Sequence, residues 1–553
     1  MIKEFLDKAK KDLPVYISDV RSGFDADKGR PYDIEVLLYD DSVRQFSLSI
    51  PEFNGTEETD FVKSYIYATT YNILSALGGK KLTVYLNPGD GDLLEIAQSL
   101  DKVFQTSLPP SQRTGYGKAL NVNGRILRTL FGADSRFSFE IKPNSEKPGP
   151  AELNFPEEKT AGNDSSNLRT AAEKALTGAY LGIDVGGTDI KVAASVDGKL
   201  AAFAEYDWFP AEFPNAEQMI DPIADLTRGA LEDCGIEKFD AIGLSFPDVV
   251  IRNLICGGET HKTLSMRENR ERDYEEQFAM ISHLGSVLGE FTQSGKVRIT
   301  NDGNMAAFTS AVEEAAAGKN VSNGFFAHTL GTEIGTGWTL SDGSIPEIPL
   351  EFYNCIIDLG SFRQKNYEPN DIRSINNYNT LLPGTLQKYC SQSGVFRLAA
   401  KYLPESVPEL WKEAADRNFF IFEDDSMKMR SAPEDMRKKA LEFFIEAGCS
   451  GKHEACSRIL REIGEYMAVT WEETEYLLHP ATKERSLYGR LVKNPESFRL
   501  INEGAMRRNP SAVQYAADDT LANTKLMRQL GTHPKYTVAQ FAQAVGSIYY
   551  SVM

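Results

Sequence analysis

The stretch YLGIDVGGTDIK (180–191) carries the residue types of phosphate and cation chemistry in Asp184-x-Gly186-Gly187-Thr188. The two glycines permit positive φ and let a ligand approach the main chain closely. Successive N–H groups in such a turn form a concave anion site. Asp184, at the end of the preceding strand, is a carboxylate able to hold a hydrated divalent cation. In Ile299-Thr-Asn301-Asp302-Gly-Asn304 another carboxylate falls between a strand and a helix, and Leu330-Gly-Thr-Glu-Ile-Gly-Thr-Gly337 is a second phosphate-sized turn with two hydroxyls. Backbone donors on the β- and γ-phosphates, a cation and a base near the attacking hydroxyl are what phosphoryl transfer requires. Taken singly, Gly-Gly-Thr also reads as a plain hairpin turn, and Asp302 as a helix N-cap.

The elements that must position these residues follow from apolar periodicity. From 177 onward strands alternate with helices: a glycine hairpin continuing through Ala201–Tyr206, a helix over Ala216–Cys234, and a buried strand over Asp240–Ser245. Val297–Thr300 is a strand aimed at Asn301-Asp302, Met305–Ala317 a helix, and Gly324–Leu330 a strand. Helices dominate after Gly360, with a pair expected over Pro433–Ala447 and Lys452–Leu478. Residues 1–145 read as a separate α+β unit. It has a hairpin about Asp40-Asp41, a helix over Asp60–Leu77, a strand over Leu82–Leu86 and a helix over Leu93–Phe104. No catalytic or metal motif marks that unit. The Pro-, Glu- and Ser-rich stretch from Asn144 to Leu168 reads as a linker, set at 146–176.

The chain is 553 residues long, enough for two or three domains, with 41% hydrophobic and 25% charged residues. A net charge of −19 argues against nucleic acid or an anionic membrane as partner. No stretch approaches the ~20 apolar residues a membrane span needs, and MIKEFLDKAKK has no apolar core of a secretory signal. Six scattered cysteines fit reduced thiols in a cytoplasm.

Several ordered motifs together resemble the ROK family of sugar kinases and sugar-responsive repressors, within the actin-like ATPase superfamily. They are DVGGTDIK (184–191), GLSFPD (243–248), ITNDGNMAA (299–307), LGTEIGTGW (330–338) with the spacing to Glu351, LQKYCSQSGVFRLA (386–399) and SLYGRLV (486–492). The resemblance covers about residues 178–553. It implies an α/β fold, a two-lobed actin-like ATPase (ribonuclease H-like) kinase behind the additional α+β domain. The small lobe would span 177–298 with the C-terminal helix 538–553, and the large lobe 299–537. ATP, Mg2+ and a sugar would meet in the cleft, and a homodimer is the family default. Asp302 would be the general base, with Asn301, Glu351, Asp248 and Glu259 on the sugar. Gly186, Gly187, Thr188, Lys191, Gly331, Thr332, Gly335 and Gly489 would hold the nucleotide, and Asp184 the magnesium through water. Glu351 also reads as a solvated loop residue and Lys191 as a surface residue. A family repressor would need a DNA-binding helix-turn-helix, and the N-terminal unit shows none. A non-catalytic sugar sensor or a nucleotide-binding scaffold is the alternative function.

Departures from the family pattern bear on the site. Asn354 stands where most members have a histidine, and the following segment holds only Cys355, so the family zinc cluster is absent. Cys449-x3-His453-x2-Cys456 lacks a fourth ligand. Gly489-Arg490 replaces a Gly-Gly pair, Pro247-Asp248 replaces Pro-Gly, and Gly257–Lys262 is unlike the family sequence where relatives contact sugar. The sugar's identity is therefore left open by the sequence.

Overall fold

Runs of Val, Ile and Leu closed by glycine or aspartate turns build three larger sheets, seen in a computed structural model that describes residues 1–150, 166–257, 261–360, 367–517 and 521–553. In the N-terminal unit β1 (Arg30–Leu37), β2 (Val43–Ile50), β3 (Lys81–Leu86) and β4 (Ser138–Pro143) lie in the order β2-β1-β3-β4. The β1–β2 hairpin turns at Asp40-Asp41, with Asp41 at φ 69°. The helix expected from Asp60 begins earlier, at Gly55, and runs to Ala76. The helix expected over Leu93–Phe104 is two pieces, Gly91–Gln98 and Leu100–Val103, broken at Ser99.

The next sheet holds β5 (Ala179–Val185), β6 (Asp189–Val196), β7 (Lys199–Asp207), β8 (Ala241–Phe246) and, beyond the short hairpin β9 (Val250–Ile251) and β10 (Leu254–Ile255), β11 (Val297–Asn301). Its order is β11-β8-β5-β6-β7, with β6 antiparallel to both neighbours and β5, β8 and β11 parallel. The last sheet repeats this plan without the third strand. It comprises β12 (Phe325–Leu330), β13 (Ile334–Thr339) and, after the hairpin β14 (Phe420–Glu423) and β15 (Ser426–Met429), β16 (Glu484–Tyr488) and β17 (Val513–Ala516). Its order is β13-β12-β16-β17. A hairpin on one side of the first strand and parallel strands on the other, repeated in tandem, is the ribonuclease H-like arrangement of the actin-like ATPase fold. Both glycine turns therefore sit at equivalent hairpin ends of the two lobes.

Two helices link the lobes at the floor of the cleft. Asp302–Ala316 follows β11 directly, and Val538–Ser551 packs on β5 and β8. That packing is backbone to backbone: a Cβ on Gly182 would lie 1.8 Å from the Ala544 carbonyl oxygen, and one on Gly243 1.8 Å from that of Ser547.

The N-terminal unit does not stand apart. Its apolar side chains run without a break into those of the large lobe, from Ile2 and Phe61 through Trp338 and Tyr389 to Ile501. Asn72 sits across the seam, its Nδ2 donating to Ile356 O at 2.8 Å and its Oδ1 accepting from Ile356 N at 2.7 Å. Arg21 pairs with Glu473 at 2.7 Å, both buried, and lies 3.5 Å from the Tyr476 ring centroid. Paired burial of this kind is needed because an isolated charge there would be costly.

Gly243→Ala forces the C-terminal helix off the sheet and is expected to destabilise the chain by about 3 kcal/mol. Gly229→Ala, where a Cβ meets nothing within 4 Å, should leave the melting temperature equal or higher. Thermal melts of the two variants check this pair.

Candidate active site

The first glycine turn is shaped from within. Gly186 N donates to Asp189 O at 2.7 Å, and Trp208 donates through Nε1 to Gly186 O and through its backbone N to Thr188 O, both at 3.0 Å. Gly187 and Thr188 are left exposed at the tip. Asp184 lies opposite Ser245 of β8, whose hydroxyl lies between it and Gln543 Oε1, the latter at 3.3 Å, and burial pushes the Asp184 carboxyl up to about 6, with the Asp302 charge adding to the rise.

Asp302 opens the inter-lobe helix, but it is not the cap. Asn301 is the N-cap, its Oδ1 accepting from Gly303 N at 2.9 Å and Asn304 N at 3.4 Å. The reading of Asp302 as a cap is corrected here: both Asx residues suit the role, and strand geometry gives it to the last residue of β11. Asp302 is the first helical residue. Its Oδ1 accepts from Gly303 N at 2.8 Å, burial raises its pKa, and the Lys262 charge opposes that rise. Asn301 Nδ2 donates to Asp248 O at 3.0 Å, tying the end of β11 to the Asp248 loop.

The helix start is locked to the second glycine turn. A Cβ on Gly337 would lie 2.0 Å from Gly303 O, one on Gly303 would lie 2.5 Å from Thr336 O, and Trp338 N donates to Asn304 Oδ1 at 3.0 Å. At the tip of that turn Gly331 N donates to Glu333 O at 3.2 Å and Gln392 N to Gly331 O at 2.9 Å, while Thr332 is exposed. Gly335 passes beside Thr329. Gly489, at φ 94°, leaves β16 so close to Leu330 that a Cβ would lie 2.4 Å from its carbonyl oxygen. A glycine is required there for fit as well as for conformation.

Acidic side chains from both lobes face one another across the opening. Burial pushes the Asp248 carboxyl up to about 6, against the pull of Lys262 and Arg125. Glu351 is pushed up to about 8 by burial, against a hydrogen bond from Tyr353, with Asp248, Glu333 and Asp302 adding like charge. It is not a solvated loop residue. Its backbone N donates to Ser75 O at 3.0 Å, so the N-terminal unit holds it in place.

Lys191 does not stand free at the turn: it pairs with Asp189 at 2.7 Å and lies 3.8 Å from Glu205. The lysine at the turn is Lys262, which sequence reasoning did not single out. Its Cε is 4.0 Å from a Cβ built on Gly187, its Nζ donates to Pro247 O at 2.9 Å, and its charge acts on both Asp248 and Asp302. Glu259 lies outside the described residues. A hollow of about 450 Å³ runs back from Asp184 along the inter-lobe helices, past Lys191, Ser310, Tyr488 and Gln543. Among the described residues, no group of three or more His, Cys, Asp or Glu side chains could hold a metal ion. No helix among them is long and apolar enough to cross a membrane.

No family model and no curated protein sequence matches the chain. Solved structures similar to it include a ROK hexokinase from Thermus thermophilus, 16% identical, covering 67% of this chain and 97% of that one at a TM-score of 0.40. A ROK family glucokinase from Streptomyces griseus, in complex with glucose and AMPPNP, is 17% identical over 67% of this chain and 98% of that one, TM-score 0.38. A ROK family transcriptional regulator, a homolog of the E. coli MLC protein, is 11% identical over 68% and 80%, TM-score 0.39. The class defined by the strand order is a two-lobed α/β protein of the actin-like ATPase fold.

A cation bound through Asp184 must displace a proton from a carboxyl whose pKa lies near 6. A divalent cation held there, as the resemblance implies, would bind with an affinity steady from pH 8 to 7 and falling about tenfold per unit below about 6. Titrations at stepped pH check this, with Asp184→Asn expected to flatten the dependence.

Proposed function

We propose that the chain is an ATP- and Mg2+-dependent sugar kinase of the ROK type, transferring the γ-phosphoryl group to a hydroxyl of a hexose or hexose derivative. The observation that carries this reading is Asp302, a carboxylate between two glycine turns whose capping duty is taken by Asn301. Asp302 accepts the proton of the sugar hydroxyl as that oxygen attacks the γ-phosphorus, and the bond to the β-phosphate oxygen breaks to leave ADP. The raised pKa of Asp302 suits it to hold that proton in transit.

The exposed tips at Gly187 and Thr188 and at Thr332 face the phosphates, while Gly186 and Gly331, whose N–H groups close their own turns, and Gly335 shape those tips. Gly489 lets β16 close on the nucleotide side. Lys262 adds the cation first sought at Lys191. The oxygen donors of Asp184 and Ser245 fit a magnesium ion, which when bound supplies charge neutralisation on the phosphates. Asp248, Asn301 and Glu351 bind the sugar hydroxyls, with Glu351 protonated near neutrality and able to donate.

A non-catalytic sugar sensor is the second reading, favoured by Glu333. This places a carboxylate, held by Gln387 at 3.2 Å, in the turn meant for phosphate oxygens. ADP release from Mg-ATP across hexoses, amino sugars and N-acetylated sugars separates the two. Asp302→Asn is expected to keep ATP binding and lower turnover by about two to four orders of magnitude. Near-normal turnover in that variant would remove Asp302 from the chemistry. Nucleotide binding with no release for any sugar would favour the sensor.

A further inference from the structure

The N-terminal unit reaches the sugar side of the cleft from both lobes. On the large-lobe side, Ser75 O and Ala76 O, at the end of the Gly55–Ala76 helix, accept from Glu351 N and Leu350 N at 3.0 Å each. On the small-lobe side the contact is made by the Ala119–Phe131 helix. There Ile126 and Leu127, with Tyr39, pack against Val249, Ile251 and Cys256 of the β9–β10 hairpin. That hairpin begins at Val250, one residue beyond Val249 and two from Asp248.

Arg125 fastens this contact through the neighbouring Tyr274–Ser282 helix, whose Ser282 hydroxyl donates to Ile255 O of the hairpin at 2.6 Å. The Arg125 side chain is 5% exposed, donates to both carboxylate oxygens of Glu275 at 2.7 and 3.1 Å, and lies 5.0 and 4.6 Å from the Tyr274 and Phe278 ring centroids. Arg252 adds a donor to Tyr39 O at 3.2 Å. A bidentate guanidinium seated on aromatic faces is a rigid fixture, and lysine cannot reproduce its geometry.

We propose that the N-terminal unit is a brace across the sugar side of the cleft, with Arg125 a positioning residue that holds the Asp248 loop opposite Glu351. Both carboxylates are then set by one rigid body before any sugar arrives, and the preassembled spacing favours binding more than turnover. The sequence of this unit carries no catalytic or metal motif, and its task is to fix the distance between groups that lie in the two lobes. The kinetic part of the proposal rests on the kinase reading; the brace itself does not.

The test uses the full chain and its Arg125→Gln, Arg125→Lys and Glu275→Gln variants. Backbone hydrogen exchange over 246–257, without ligand, is expected to quicken about tenfold in Arg125→Gln and less in Arg125→Lys, with β5 and β6 unchanged. The KM for sugar is expected to rise about tenfold at nearly constant kcat, with the KM for ATP unmoved. Wild-type exchange over 246–257 in Arg125→Gln would overturn the brace. Faster exchange with an unchanged sugar KM would overturn the positioning role of Arg125. Should Arg125→Gln fail to fold, Glu275→Gln, altered at a half-exposed side chain, carries the same test with an expected rise of about threefold. No sugar-dependent ADP release from the wild type would sink the kinase reading and leave the exchange data to judge the brace.

Discussion

The contact of Gly303 with Thr336 and Gly337 is the constraint on which the rest of the cleft depends. It brings the first turn of the inter-lobe helix against the strand that leaves the second glycine turn, with no room for a side chain on either glycine. The helix start is thereby fixed in the frame of one lobe, while β11 fixes it in the sheet of the other. Asp302 stands at that junction. Its position follows from main-chain packing, and groups fixed in advance in this way are what electrostatic catalysis requires.

Burial shapes the chemistry of the acidic groups. Asp184, Asp248, Asp302 and Glu351 all have raised pKa values because the folded chain removes water from them and sets them near one another. Lys262 opposes the rise at Asp248 and Asp302, and Lys191 opposes it at Asp184. A ligand that brings hydroxyl donors, or a cation that accepts carboxylate oxygens, relieves this burden. Under the proposed function, part of the affinity for a sugar or a cation would come from relief of that burden.

Much of this was legible in the sequence, because glycine turns and strand ends are local signals. DVGGT and LGTEIGTG name hairpin ends, and the alternation on either side sets the strands that carry them. Lys191 shows what local reading can miss even when the information is present. Asp189 lies two residues away, hence on the same face of β6, and Glu205 is its partner across the ladder. The choice of Asn301 over Asp302 as cap was not legible, since adjacent Asx residues carry the same signal. Lys262 entered only as the end of the Gly257–Lys262 segment, because its approach to Gly187 depends on how a loop returns over the sheet, and no spacing rule reports that. The N-terminal unit gave no hint of its contact with Glu351 because that contact uses the carbonyls of Ser75 and Ala76, and main-chain acceptors leave no mark on composition.

Transfer of phosphate to a sugar oxygen, as opposed to loss of phosphate to water, is most directly read by 31P NMR of the wild type with Mg-ATP and the sugar panel. A new phosphomonoester resonance growing in step with ADP is the expected result for at least one sugar. Nucleotide turnover that yields inorganic phosphate alone, or no turnover with any sugar, would contradict the assignment of this cleft to sugar phosphorylation.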